Sequence, residues 1–178
     1  MITAIVGVTV GFALSTSGII QPDSPPHHSA PDSDEELQIE GGYANVTANG
    51  TVDYINLTVT KGESEVNFGG VSILWSGVNR SVSLVGYPNG TTTQQNTVQP
   101  GESQRFYVSP IYDTDESFPV LNTESDRFRV TMNVTAIEGH PIDASQRIAL
   151  KFTLANRKHV QYAFRLPDSL HNKSVVEI

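Results

Sequence analysis

Hydrophobic and polar positions alternate most regularly around residues 127–134. Phe128, Val130, Met132 and Val134 fall on one parity, and Arg127, Arg129, Thr131 and Asn133 on the other. Side chains of a strand point alternately to its two faces, so this pattern predicts a half-buried strand. Ile148, Leu150, Phe152 and Leu154 repeat the period, as do Val160, Tyr162, Phe164 and Leu166. The Ala155-Asn156-Arg157-Lys158-His159 segment between them is short enough to make the two runs a hairpin. Further strands are predicted over residues 52–60, 71–75, 80–85 and 105–112. Turn signals separate them at Asn49-Gly50, Lys61-Gly62, Gly69-Gly70, Pro88-Asn89-Gly90, Pro100-Gly101 and Glu138-Gly139-His140-Pro141. Trp75 is expected in the core. No second amphipathic helix of useful length and no internal repeat interrupts the series. Residues 41–178 are therefore expected to be mainly β, as an antiparallel Ig-like β-sandwich.

The first 21 residues have a different pattern. No charged side chain occurs before Asp23. As a helix this run would be roughly 30 Å long, about the thickness of a bilayer hydrocarbon core. Gly7, Gly11 and Ser15 recur at four-residue spacing, which lets helix backbones pack closely. A cleaved secretory signal, a lone membrane anchor and an assembly helix all have this character. Signals carry Lys or Arg before the apolar stretch and anchors carry them on the cytoplasmic flank, whereas here Met1 is followed directly by Ile2. Residues 22–40 are expected to be a linker. Pro22, Pro25, Pro26 and Pro31 favour an extended, semi-rigid spacer. Asp32, Asp34 and Glu36 alternate oxygen ligands as a divalent-cation site would, but without the glycine turn of a full calcium loop. The acidic stretch is thus read as a solvated spacer, and the adjacent His27 and His28 as polar residues.

Composition narrows the chemistry. The chain has 178 residues, 38% hydrophobic and 17% charged, with a net charge of −8. An acidic chain lacks the basic face that neutralises phosphates, which argues against nucleic-acid binding. The absence of cysteine excludes disulfides, thiolate metal sites and cysteine nucleophiles. No phosphate-binding glycine loop or nucleophile elbow is present, and His27, His28, His140, His159 and His171 stand in no metal-ligand spacing. Asp113-Thr114-Asp115-Glu116 is read as an exposed acidic loop. No catalytic residue, cofactor or metal is therefore expected, and the protein is not read as an enzyme.

Asn-x-Ser/Thr sequons occur at Asn45, Asn49, Asn56, Asn79, Asn89, Asn133 and Asn172. Seven in one short chain is several times the chance density, which points to an exported, N-glycosylated surface. Asn49 and Asn89 fall in predicted turns. Asn56 and Asn133 fall on the polar parity of predicted strands and are expected to face outward.

Several short segments, taken together and in order, resemble the archaellins (archaeal flagellins), most closely those of haloarchaea. Leu14-Ser15-Thr16-Ser17-Gly18-Ile19-Ile20-Gln21 is similar to the end of that family's assembly helix. Val52-Asp53-Tyr54-Ile55-Asn56-Leu57-Thr58-Val59 and Val71-Ser72-Ile73-Leu74-Trp75-Ser76-Gly77 resemble its first two sandwich strands. Glu124-Ser125-Asp126-Arg127-Phe128-Arg129-Val130 resembles its acidic-Ser-Asp-Arg entry to a core strand, and segment 166–170, followed by 173–178, resembles its Pro-acidic-Ser-Leu terminus. The resemblance implies an extracellular archaellum filament subunit. N-terminal helices would polymerise with the same chain or other archaellins, and glycosylated β-sandwiches would lie outside. It also implies basal-body and motor partners, a membrane location before assembly, and no catalysis by the subunit itself. Archaellin precursors carry a charged leader cut after a basic residue and Gly. Either a start upstream of Met1 or a divergent member is consistent with the run seen here. A membrane-anchored envelope β-sandwich, such as an archaellum accessory or stator-like protein or an adhesin, shares the same apolar run, linker and sandwich. A secreted carbohydrate-binding domain would need an aromatic or carboxylate-lined concavity.

Overall fold

The structure is a computed structural model and describes residues 36–88 and 102–178. The expected apolar helix, with Gly7, Gly11 and Ser15, lies outside the described residues, as do most of the expected linker and Asn89. Eleven strands follow in order: β1 Leu37–Val46, β2 Val52–Lys61, β3 Val66–Asn67, β4 Ser72–Ser76, β5 Ser81–Pro88 and β6 Arg105–Tyr112, then β7 Val120–Leu121, β8 Arg127–Asn133, β9 Arg147–Thr153, β10 His159–Arg165 and β11 Val175–Glu177. A one-turn helix, α1 (Val134–Glu138), separates β8 from β9. The strands expected at residues 52–60, 71–75, 80–85, 105–112 and 127–134 appear with ends shifted by at most a few residues, as does the β9–β10 hairpin. β1 begins inside the stretch expected to be linker. The two-residue strands β3 and β7, together with β1 and β11, carry no clean alternation.

Nine strands form one continuous sheet in the order β10-β9-β4-β5-β6-β8-β2-β1-β11, and β3 pairs separately with β7. This corrects two expectations. The nine strands form one curled sheet rather than the two stacked sheets of a sandwich, with the short β3–β7 pair apart from it. The sheet is also not wholly antiparallel, because β5 and β6 run parallel, with Val85 opposite Arg105 and Tyr87 opposite Tyr107. A parallel neighbour needs a crossover of a dozen or more residues, which the stretch 89–104 between them supplies. Register shifts between Ile39 and Gly41, between Asn45 and Val46, and between Pro110 and Tyr112 bend the strands that carry them. Such bulges add to the strand twist that curls a sheet.

Curling places one face of every long strand inside. Ile55, Leu57 and Val59 of β2, Phe128, Val130 and Met132 of β8, Phe106 and Val108 of β6, Ile73 and Trp75 of β4, and Phe152 of β9 are all fully buried. Each large apolar side chain so buried contributes about 1.5–3 kcal/mol relative to exposure. Phe128 packs edge-on against Phe118 with ring centroids 5.2 Å apart. Trp75 is in the core, as expected, and its indole N–H donates to Glu138 Oε1 at 2.6 Å. Glu138 also accepts the Asn79 N–H through Oε2 at 3.0 Å, so α1 is tied to the β4–β5 turn. Gly77 is required there, because a Cβ would lie 1.8 Å from Glu138 Oε1 and 2.3 Å from Trp75 Nε1.

The two edge strands of the curled sheet approach one another without a backbone ladder. The Tyr162 hydroxyl on β10 donates to the Ile178 carbonyl beside β11 at 2.8 Å. At the far end of the same seam, Lys158 and Asn156 of the β9–β10 turn donate to the Glu36 carboxylate that precedes β1. The domain therefore has two distinct ends. At one, residues 1–35 join β1, and the β9–β10 turn and the β6–β8 connection lie nearby. At the other lie the β1–β2 and β4–β5 turns, α1, and the β10–β11 connection. Backbone bonds Val52–Ile142, Ser145–Pro167 and Val46–Ser174 bind those distal loops together.

Candidate functional site

The positions of the described sequons follow the polarity of the fold. Asn49 sits in the β1–β2 turn, where Gly50 adopts the left-handed conformation at φ 72° that this tight reversal demands. Asn79 sits in the β4–β5 turn, and its amide Nδ2 meets His140 Nε2 at 3.0 Å. His140 Nδ1 in turn lies 2.8 Å from the Pro141 carbonyl. Donation from Nδ1 leaves Nε2 as the acceptor for Asn79. Asn172 occupies the turn before β11, itself left-handed at φ 58°. Asn49, Asn79 and Asn172 are exposed. Asn49 and Asn172 line the same shallow depression, together with Asp168 and His171. Asn45 is half-buried, and its Oδ1 accepts from Asn56 Nδ2 at 3.3 Å.

Asn56 and Asn133 do lie on the polar face of their strands, but neither faces solvent, which corrects the expected outward orientation. Asn56 is 0% exposed and Asn133 3%. β2 and β8 are interior strands, so cross-strand neighbours cover these positions. The Thr131 hydroxyl donates to Asn56 Oδ1 at 2.8 Å. Asn133 Oδ1 accepts the Ala136 N–H at 3.0 Å as the N-cap of α1, and its Nδ2 donates to the Tyr54 hydroxyl at 3.2 Å. Alternation alone distinguishes the two faces of a strand; it does not say whether the polar face is itself covered.

A second cluster gathers at the opposite end. Asp113, Asp115 and Asp126 bring carboxylate oxygens within 4.8 Å of one another, an oxygen-only set of the type that holds hard divalent cations. Asp113 and Asp115 belong to the loop singled out in the sequence. Asp126 comes from the next connection and is fully buried. The loops also supply donors. Asp126 Oδ2 accepts the Asn122 and Thr123 N–H groups at 3.1 and 2.9 Å, and Asp113 accepts those of Ser117 and Phe118, each at 3.0 Å. The Asn122 amide beside Asp115 holds its carboxyl below the usual carboxylate range. Glu36, considered with Asp32 and Asp34 as a cation ligand set, is instead committed to Lys158 and Asn156. The Lys158 contact is the main cause of its lowered carboxyl pKa.

A single curled sheet, a short capping helix and loops segregated to two ends define a β-rich domain of the kind found in an archaeal flagellin. The crystal structure of flagellin FlaB1 from Methanocaldococcus jannaschii superimposes with a TM-score of 0.67, covering 79% of this chain and 94% of that one at 16% identity. The sequence resemblance extends further along the chain than the fold. Flagellin B2 of Halobacterium salinarum is 23% identical over 98% of this chain and 86% of its own length. Flagellin A1 of Haloferax volcanii is 24% identical over 95% of this chain and 84% of its own. The chain is thus similar to haloarchaeal flagellins over nearly its full length, as its sequence segments indicated. No family model matches it.

Proposed function

We propose that the chain is a structural subunit of the archaellum filament, built into a helical polymer with copies of itself or with other archaellins. The observation that carries this reading is the similarity to flagellin B2 over 98% of the chain, which extends into the apolar N-terminal run as well as the domain. In this reading residues 1–21 pack together as the filament core through Gly7, Gly11 and Ser15, residues 22–36 act as the spacer, and the curled-sheet domain lies outside. The subunit sits in the membrane before assembly and meets the basal body and motor there. It then works at the cell surface as a passive element, with no reaction of its own. Its acidic balance keeps crowded copies soluble. Sequon density supports an N-glycosylated exterior.

Electron microscopy and peptide mass spectrometry of filaments sheared from motile cells test the reading. Peptides of this chain should be found in the filaments, and their absence under motile growth refutes the role. Deletion of residues 1–21 should yield a folded domain that does not polymerise. Polymerisation of that deletion would remove the assembly role given to the apolar run.

A further inference from the structure

Five of the six described sequons fall into two physical classes, and the difference has a direction in space; Asn45, half-buried and bonded to Asn56, belongs to neither. An oligosaccharide transferred to asparagine replaces one hydrogen on Nδ2, so the amide must reach solvent and leave room for a sugar ring. Asn49, Asn79 and Asn172 meet this condition: all three are exposed and all stand in turns. The hydrogen bond from Asn79 to His140 uses one amide hydrogen and leaves the second for substitution. Asn56 and Asn133 do not meet it. Both side chains are buried, and each uses its amide and its carbonyl in the bonds that join β2 to β1 and β8, or cap α1.

The three exposed acceptors among the described residues share one end of the domain. β1 runs from the junction with residues 1–35 at Leu37 to Val46. Ten residues of strand at about 3.3 Å each set the two ends roughly 30 Å apart. Asn49 follows β1 directly, Asn172 shares its depression, and Asn79 is joined through His140 to the connection after α1.

We propose that Asn49, Asn79 and Asn172 carry N-linked glycans, that Asn56 and Asn133 are structural asparagines that remain unmodified, and that these three glycans form a rim at the end of the domain opposite Leu37. This rests on the exported, glycosylated part of the function proposed above. Its consequence is geometric: these three bulky, hydrated sugars lie about one strand length from Leu37, where the chain enters the domain.

The test is site-resolved glycopeptide mass spectrometry on the full chain purified from its own host, both from filaments and from the cell envelope. Glycan-bearing peptides are expected at Asn49, Asn79 and Asn172, with unmodified peptides spanning Asn56 and Asn133. A glycan on either buried asparagine, or only unmodified peptide at any of the three exposed ones, overturns the proposal. Host-expressed variants give a second readout. Asn172→Gln and Thr51→Ala should each lower apparent mass by one glycan, whereas Thr135→Ala, which removes the Asn133 sequon but keeps its cap, should leave mass unchanged. A mass loss in Thr135→Ala also overturns it. The stated pattern in a chain absent from filaments would refute the filament role and leave this assignment standing. A different pattern in filament-borne chain would do the reverse.

Discussion

At the residue scale, two polar side chains on the same strand show how burial decides what an asparagine or aspartate does. Asn56 is buried and fully engaged. Asp53, three residues earlier, has a buried Oδ1 with no hydrogen-bond partner, and burial pushes its carboxyl up despite bonds from its own and the Tyr54 backbone. A carboxyl whose pKa is raised by folding opposes folding once it ionises. Its stabilising contribution is present below the unfolded value and lost as pH rises through the folded one. Asp53→Asn should therefore unfold at a higher temperature than the parent at pH 7, with the difference shrinking as the pH falls through the ordinary carboxylate range. Thermal melts followed by circular dichroism across that range check the sign. The sequence shows Asp53 as one more polar residue at a strand start, because desolvation depends on neighbours that no local pattern specifies.

At the scale of single elements, strands with strict period-two alternation were legible in the sequence, and those without it were not. β8, β9 and β10 alternate cleanly because one face of each is turned into the core, with Phe128 and Val130, Ile148, Leu150 and Phe152, and Val160 and Phe164 buried. β1 has Gly41 and Gly42 in its middle and a bulge beside them, so its period is broken. β11 has only three residues. α1 has no counterpart among the elements predicted from the sequence, where only the turn signal at Glu138-Gly139-His140-Pro141 marks this region, because one helical turn leaves no periodic signal. Its sequence cue lies in its ends: Asn133 as N-cap and Gly139 beyond the last turn at φ 88°. The cap makes a prediction about stability that is separate from any glycan. Asn133→Ala should cost about 0.5–2 kcal/mol, the range for loss of a helix N-cap, while Thr135→Ala should cost less. Urea denaturation of the two variants provides the comparison. The acidic cluster was half legible for a similar reason: Asp113 and Asp115 are neighbours in sequence, but only the fold brings Asp126 to them.

At the scale of the whole molecule, sequence pattern gave the right class and the wrong topology. Alternation records that a strand has an inner and an outer face, and this holds equally for two stacked sheets and for one sheet curled on itself. The parallel β5–β6 pair was hidden because alternation within a strand carries no information on the direction of its neighbour. What closes the curl is electrostatic at one point. Glu36 has its carboxyl pKa lowered chiefly by the hydrogen bond from Lys158. A carboxyl lowered by folding contributes stability above its unfolded pKa and loses it as pH falls through the folded value. The parent should therefore lose stability as pH drops below about 4.5, and Glu36→Gln should lose less across the same interval, having started lower. Denaturant midpoints from pH 7 to pH 3 measure the two slopes.

The seam between β10 and β11 has a consequence for proteins displayed in dense arrays. Unladdered strand edges are templates on which identical chains fuse. Here each edge is turned toward the other and held by the Tyr162 hydroxyl, so neither is offered to the next molecule along. A surface repeated many times over must refuse pairing of this kind, whatever ordered contacts it makes. Tyr162→Phe, which keeps the ring and removes the tether, should leave the fold intact but increase concentration-dependent light scattering. Unchanged scattering would show that the seam does not guard against fusion.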